Sequence, residues 1–299
     1  MKVIKKFFLY LFLIVILLVF IVPFLYALYN SFLPLADVDK LVPFSHFTVD
    51  NYVTLFTKYN MARWIWNTVV MTLIIVLGNV WFTTMAGYAL AKFDFPGRSF
   101  LRFVVIVTMM VPFQLVVTPM YLTIVNIGWN NTMASITVPY VCQCIYVFFA
   151  QQYFYSIPKE MEEAARIDGL GRAGVFFRIV LPISKPCLTT IIILCFTGTW
   201  NSYFVPATFL TDEKLFPIVV GLNTVKAKYF ARPNLSLAGV ILLTLPVLDV
   251  YKRQRYDRGT AGRTDTDGTV CRFASYYAGN LDPAGTSAGK AEFVGWMES

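Results

Sequence analysis

From Phe7 to Tyr29 the chain runs for 23 residues without a charged side chain. Nothing else in it limits the fold so sharply. Lipid offers a backbone no hydrogen-bond partners, so such a run must satisfy itself as a helix. About 20 helical residues cross a hydrocarbon core. Lys2, Lys5 and Lys6 stand just before the run. A secretory leader has a shorter apolar core, about 7–15 residues, and a small-residue cleavage site. The block is therefore expected to be a retained anchor occupying residues 1–30.

The same reasoning finds five further spans: Trp66–Ala91, Phe103–Val125, Ser135–Tyr153, Ile183–Val205, and one beginning near Ser236. Apolar residues make up 57% of the chain and charged residues 14%, against about half and a quarter in soluble domains. Pro112, Pro119 and Pro139 fall inside spans, where neighbouring helices can re-satisfy the freed backbone groups. Alternating strand patterns are missing, which argues against a barrel. The expected class is all-α, a polytopic membrane bundle of six transmembrane helices.

Basic residues orient the bundle, because inside loops keep an excess of Lys and Arg. With the N-terminus in the cytoplasm, the inside segments carry eleven of them, among them Lys92, Arg98, Lys159, Arg166 and Arg172, while the longer outside segments carry seven. The net charge of +8 sits at membrane flanks, where anionic lipid headgroups attract it, and not in a nucleic-acid-binding patch. Cys142, Cys144, Cys187 and Cys195 lie in or beside spans, Cys271 lies in the tail, and the lone His46 is far away. That pattern lacks zinc-ligand spacing and reads as free thiols, with no metal and no cofactor.

Between the spans lie an external loop at 31–64, whose Phe47–Phe56 part looks like a short amphipathic helix, and a compact turn at Asp94–Arg98. A tight turn follows at Asn126–Asn131, and Thr211–Pro233 forms a second external segment. A core of 65–248 encloses the loop at 157–182. There Pro158 precedes Lys159 and Glu160, as a proline opening a helix does, and Glu160, Glu162 and Glu163 lie near the positive end of that helix's dipole.

The loop reads EAARIDGLGRAGVFFRIVLP from Glu163 to Pro182. Its spacing, E-A-A, three residues, G, nine residues, I-x-L-P, resembles the EAA loop of binding-protein-dependent ABC importer permeases. The segments Thr68–Arg98, Met110–Tyr121 and Thr199–Asp212 are similar to the carbohydrate-uptake branch, most of all to the second permease of maltose-type systems. The resemblance covers about residues 5–248. It implies the type I ABC importer fold in a bacterial-type plasma (inner) membrane, and a cytoplasmic loop that docks on an ATPase. It also implies a second permease subunit, two ABC ATPase subunits and an extracellular or periplasmic solute-binding protein as partners, besides membrane lipid. Glu163, Ala164, Ala165, Asp168, Gly169, Ile179, Leu181 and Pro182 would be the ATPase-coupling residues.

The residues themselves agree with that role. No G-x-x-x-x-G-K-[ST] phosphate loop occurs, so ATP would be hydrolysed by a partner and the chain is not expected to be an enzyme. Gly169 can take positive φ and end the first helix. Val175, Phe176, Phe177, Ile179 and Val180 then offer an apolar second helix. An interfacial amphipathic helix would explain the apolar-basic mix near Arg178, but not three acidic residues beside two alanines and a spaced glycine. Polar groups at membrane depth often face a cavity. Gln114, Tyr140, Gln143, Asn201 and Tyr203, with Thr118, are candidates for a substrate pathway, although helix–helix hydrogen bonding is a common alternative use. A permease for another small solute stays open. An ion-coupled transporter would need an ionisable residue in mid-span, and the first five spans have none centrally placed.

The sixth span begins well at Leu237–Leu248 but stops short of a crossing. Asp249–Gln254 reads DVYKRQ, which resembles the translated end of a sequencing-library adapter. From there seven basic and seven acidic residues cancel, and no amphipathic period remains. The segment 249–299 is expected to be non-native or disordered, which makes the sixth helix truncated or chimeric. A regulatory C-terminal extension is the alternative.

Overall fold

A computed structural model describes the backbone at residues 2–228 and 232–260, and side chains at 6–225 and 232–247. Among these residues every regular element is a helix. The chain divides into a unit at Met1–Lys252 and another at Arg253–Ser299.

Helix α1 (Lys2–Ser31) is the anchor. Its apolar side chains are exposed on every side from Phe7 to Leu25, which suits lipid or another subunit and not water. The short amphipathic helix expected in the first loop is α2 (Asp50–Lys58), which turns Asn51 and Leu55 inward. The Asn51 amide donates to Ser31 O and Leu33 O, both at 2.8 Å, tying α2 to the end of the anchor.

The bundle is organised around α3 (Met61–Lys92), which at about 1.5 Å per residue is ~48 Å long. The helices α7 (Cys144–Ser156) and α11 (Lys185–Trp200) pack along it. Close approach depends on Gly87, where a Cβ would come within 2.6 Å of Ala150 Cβ and 2.9 Å of Gln151 N. Small residues of this kind let membrane helices pack backbone to backbone. At one end of α3 the Trp64 indole donates to Glu213 O at 2.8 Å, and the Asn67 amide donates to Lys214 O at 2.9 Å and Phe216 O at 3.1 Å. These bonds hold the 210–217 segment across that end of the bundle.

Three expected spans are interrupted. Phe103–Val125 is not one helix but two, α4 (Arg98–Met110) and α5 (Phe113–Asn126), bent by 103°. The cause is Pro112, which pushes Val111 into an extended conformation (φ −79°, ψ 121°). Ser135–Tyr153 starts as α6 (Met133–Thr137) and opens at Pro139 into a 3₁₀ turn, Val138–Tyr140, before α7. Ile183–Val205 is α11 followed by the separate α12 (Phe204–Phe209). Among the described residues three helical stretches are long and apolar enough to span alone (Lys6–Ser31, Met61–Lys92, Met133–Ser156), or five if the bent pairs Arg98–Met110 with Phe113–Asn126 and Arg172–Ile183 with Lys185–Trp200 each count once. The loop at 157–182 holds α8 (Lys159–Ile167), α9 (Arg172–Val175) and α10 (Leu181–Ile183), and α13 (Ile218–Lys228) follows α12.

The helix expected to stop near Leu248, α14 (Pro233–Thr260), continues through Asp249, Lys252 and Arg253 to Thr260. Its apolar part is the shorter Pro233–Val247. The rest of the expected non-native or disordered segment, 261–299, lies outside the described residues, as does Cys271.

Candidate functional site

The motif residues sit on a helix–turn–helix. Pro158 precedes α8 with φ −58° and ψ 140°, and α8 ends in a Schellman turn. Leu170 N–H reaches back to Ala165 O at 3.1 Å and Gly169 N–H to Arg166 O at 3.0 Å. Gly169 has φ +87°, the left-handed region that a Cβ disfavours, and nothing lies within 4 Å of where a Cβ would be. The requirement there is conformational and not steric. Helix α9 then leads into a π-helical turn, Phe176–Val180, which buries Phe176 and Val180.

Of the eight motif residues, Ala165 is buried, Ile179 and Leu181 are half-buried, and Glu163, Ala164, Asp168, Gly169 and Pro182 are exposed. Beside them Ile167 is 87% exposed. The α8 face bearing Glu163, Ala164 and Ile167 is therefore open, while the face bearing Glu162 and Ala165 is packed against the bundle.

Glu162 was visible in sequence only as one of three carboxylates. In the fold it is nearly inaccessible, and Lys92 Nζ lies 3.1 Å from its Oε1, an ion pair without hydrogen-bond alignment. The Tyr88 hydroxyl donates to Glu162 Oε2 at 3.0 Å, and Lys92 Nζ donates to Ile157 O at 2.6 Å. The Tyr88 ring meets Phe93, Phe154 and Phe176 with centroids 5.3, 5.5 and 4.9 Å away. The last turn of α3 thus grips α8, the end of α7 and the π-helical turn together. Arg98 seals the same turn by donating to Leu90 O at 2.9 Å and Ala91 O at 2.7 Å.

A cavity of about 250 Å³ opens between α3, α7 and α11. Of the expected pathway residues, Tyr140 and Gln143 line it. Gln114, Asn201 and Tyr203 do not: Gln114 is exposed on α5 beside the lining residue Phe113. Asn201 donates to Thr197 O in its own helix at 2.9 Å, and Tyr203 OH accepts from Asn223 Nδ2 at 2.5 Å. Thr118 is exposed as well. Tyr146, Thr199 and Ser202 complete the polar lining and had no distinguishing pattern in sequence. The break that carries Tyr140 and Gln143 is held by Asn79, whose amide donates to Tyr140 O at 2.6 Å and whose Oδ1 accepts from Gln143 N–H at 2.9 Å.

A helical membrane bundle with an anchored helix–turn–helix between two spans and a polar-lined break inside is the architecture of a transport permease. Residues 83–250 match the family described as binding-protein-dependent transport system inner membrane component, and the chain belongs to that family, as a multi-pass inner membrane protein. It is 33% identical to the arabinooligosaccharides transport system permease protein AraQ of Halalkalibacterium halodurans, over 69% of this chain and 75% of that protein. It is 29% identical to the diacetylchitobiose uptake system permease protein NgcG of Streptomyces coelicolor, over 77% and 78%. It is 30% identical to the sn-glycerol-3-phosphate transport system permease protein UgpE of Brucella abortus, over 73% and 80%. A solved bacterial ABC transporter involved in import of the acidic polysaccharide alginate shares the fold, with a TM-score of 0.75 at 24% identity, covering 85% of this chain and 96% of that chain.

Proposed function

We propose that this chain is one of two permease subunits in an ATP-driven importer of a neutral sugar or oligosaccharide. One observation carries the reading: α8 presents Glu163, Ala164 and Ile167 outward while Glu162 locks its other face to α3. A helix held so firmly on one side and left bare on the other is suited to receive force from a partner. The partner is an ATPase subunit in the cytoplasm, on the same side as the N-terminus, and a second permease and a solute-binding protein complete the importer. The chain itself changes no bond in the solute.

In the cycle, closure of the ATPases moves α8, with Glu163 meeting a basic cleft and Gly169 preserving the angle at which α9 returns. The movement alternates access to the cavity. Sugar rings offer apolar faces to Phe113, Tyr140 and Tyr146 and hydroxyl edges to Gln143, Thr199 and Ser202. The lining residues include no Lys, Arg or His, which favours a neutral solute over a phosphorylated one. The names of the arabinooligosaccharide and diacetylchitobiose relatives support that class.

The test is uptake into proteoliposomes holding the assembled importer, with arabino-oligosaccharides, diacetylchitobiose and sn-glycerol-3-phosphate offered separately. ATP-dependent uptake of either sugar is expected. Uptake of the phosphate ester alone would overturn the neutral-solute reading.

A further inference from the structure

Two polar grips outside the proposed ATPase-contact face sit on one helix, α3. At one end Lys92 and Tyr88 hold Glu162, and all three side chains are sheltered from solvent. In mid-helix, Asn79 is fully buried and holds the Tyr140–Gln143 break by two hydrogen bonds to backbone, while also donating to Ile75 O at 2.8 Å. Asn79 and Lys92 are ~20 Å apart along the axis, at about 1.5 Å per residue. Between them Gly87 keeps α3 in backbone contact with α7.

A buried ion pair is weak evidence for stability, since well-packed apolar residues in its place are often as stable or more so. What the pair does supply is a directional link. Lys92 Nζ binds both the carboxylate of α8 and the carbonyl of Ile157, so α8 cannot tilt without moving the end of α3. The stiff helix then carries that displacement to Asn79, whose side chain holds two backbone atoms of the cavity break besides Ile75 O of its own helix. Packed contacts joined by a rigid element are one physical route for coupling distant sites.

We propose that α3 is the transmission rod of this permease, and that Glu162, Lys92, Tyr88 and Asn79 are positioning residues that tie the coupling helix to the cavity break. This rests on the ATPase-docking reading above. It assigns Glu162 a role distinct from that of its exposed neighbour Glu163.

The experiment uses the full importer in nanodiscs. Cys142 is native, exposed and lies within the gripped break, so its alkylation by a small maleimide, followed by mass spectrometry, reports movement there. Labelling rates are compared without nucleotide and after trapping with ATP and vanadate. In the wild type the two rates are expected to differ at least fivefold. In Glu162→Gln and Asn79→Ala the difference falls below twofold, with ATPase recovery unchanged. A double variant, Lys92→Met with Glu162→Met, removes both charges together and guards against misfolding of a single variant. It is expected to regain the wild-type melting temperature without regaining the nucleotide response. Equal responses in the wild type and Glu162→Gln, both large or both absent, would overturn the proposal, as would recovery of the response in the double variant. Glu163→Lys separates the two readings: unchanged ATPase recovery in that variant counts against docking, whatever Glu162→Gln does.

Discussion

Adjacent carboxylates on one helix meet different fates here. Residues i and i+1 are about 100° apart around a helix, so Glu162 faces the bundle while Glu163 faces out. The motif was legible in the sequence, but the division of labour within it was not. Which carboxylate is buried depends on Lys92 and Tyr88, about 70 positions earlier in the chain, and no local pattern reports that pairing. Gly169 is the converse case, since its spacing alone marked a helix end and φ +87° follows. A β-branched residue there would incur about 1–2 kcal/mol of left-handed strain and misdirect α9. Gly169→Val is expected to abolish uptake while the protein still inserts, as measured by sugar uptake and membrane-fraction content. At the neighbouring exposed site, Glu163→Lys should lower ATPase recovery in co-purification by roughly tenfold, about 1.4 kcal/mol, with no change in its melting temperature. Recovery equal to the wild type would remove the carboxylate from the contact.

Helices were easier to find than their interruptions. Apolar runs of spanning length located α1, α3 and the α6–α7 stretch, because lipid demands such length from any crossing helix. The 103° break at Pro112 was not legible, since proline within a membrane helix can equally be absorbed as a kink. The same ambiguity hid the turn at Pro139, and with it the cavity. Gln114, Asn201 and Tyr203 look as suitable in sequence as Tyr140 and Gln143, but only the latter pair lies on the opened turn beside Asn79. The α3–α7 contact makes its own prediction. Gly87 faces Ala150 and backbone with no side chain able to yield, so Gly87→Val is expected to cost about 1–3 kcal/mol of overpacking. Gly171→Ala, where a Cβ meets nothing within 4 Å, should leave stability within about 0.5 kcal/mol. Denaturation of the two purified variants in detergent checks the difference.

At the scale of the molecule, α3 joins two loops on opposite ends of the bundle. Trp64 and Asn67 fix the 210–217 segment at one end, and Lys92 and Tyr88 fix the 157–182 loop at the other. On the topology we propose, with the Lys/Arg excess inside, the second of these lies in the cytoplasm, where an ATPase would meet it. A cysteine at Glu163 should accordingly react with an impermeant thiol reagent in inside-out vesicles and not in intact cells, and one at Lys214 should do the reverse. The most direct measurement of the central claim uses Ile167, whose side chain stands almost fully exposed on the bare face of α8. A photo-crosslinking amino acid placed there in the assembled importer is expected to capture the ATPase subunit in high yield, and the same group at the exposed Leu115 of α5 should not. Capture of the ATPase from Leu115 but not from Ile167 would contradict the account.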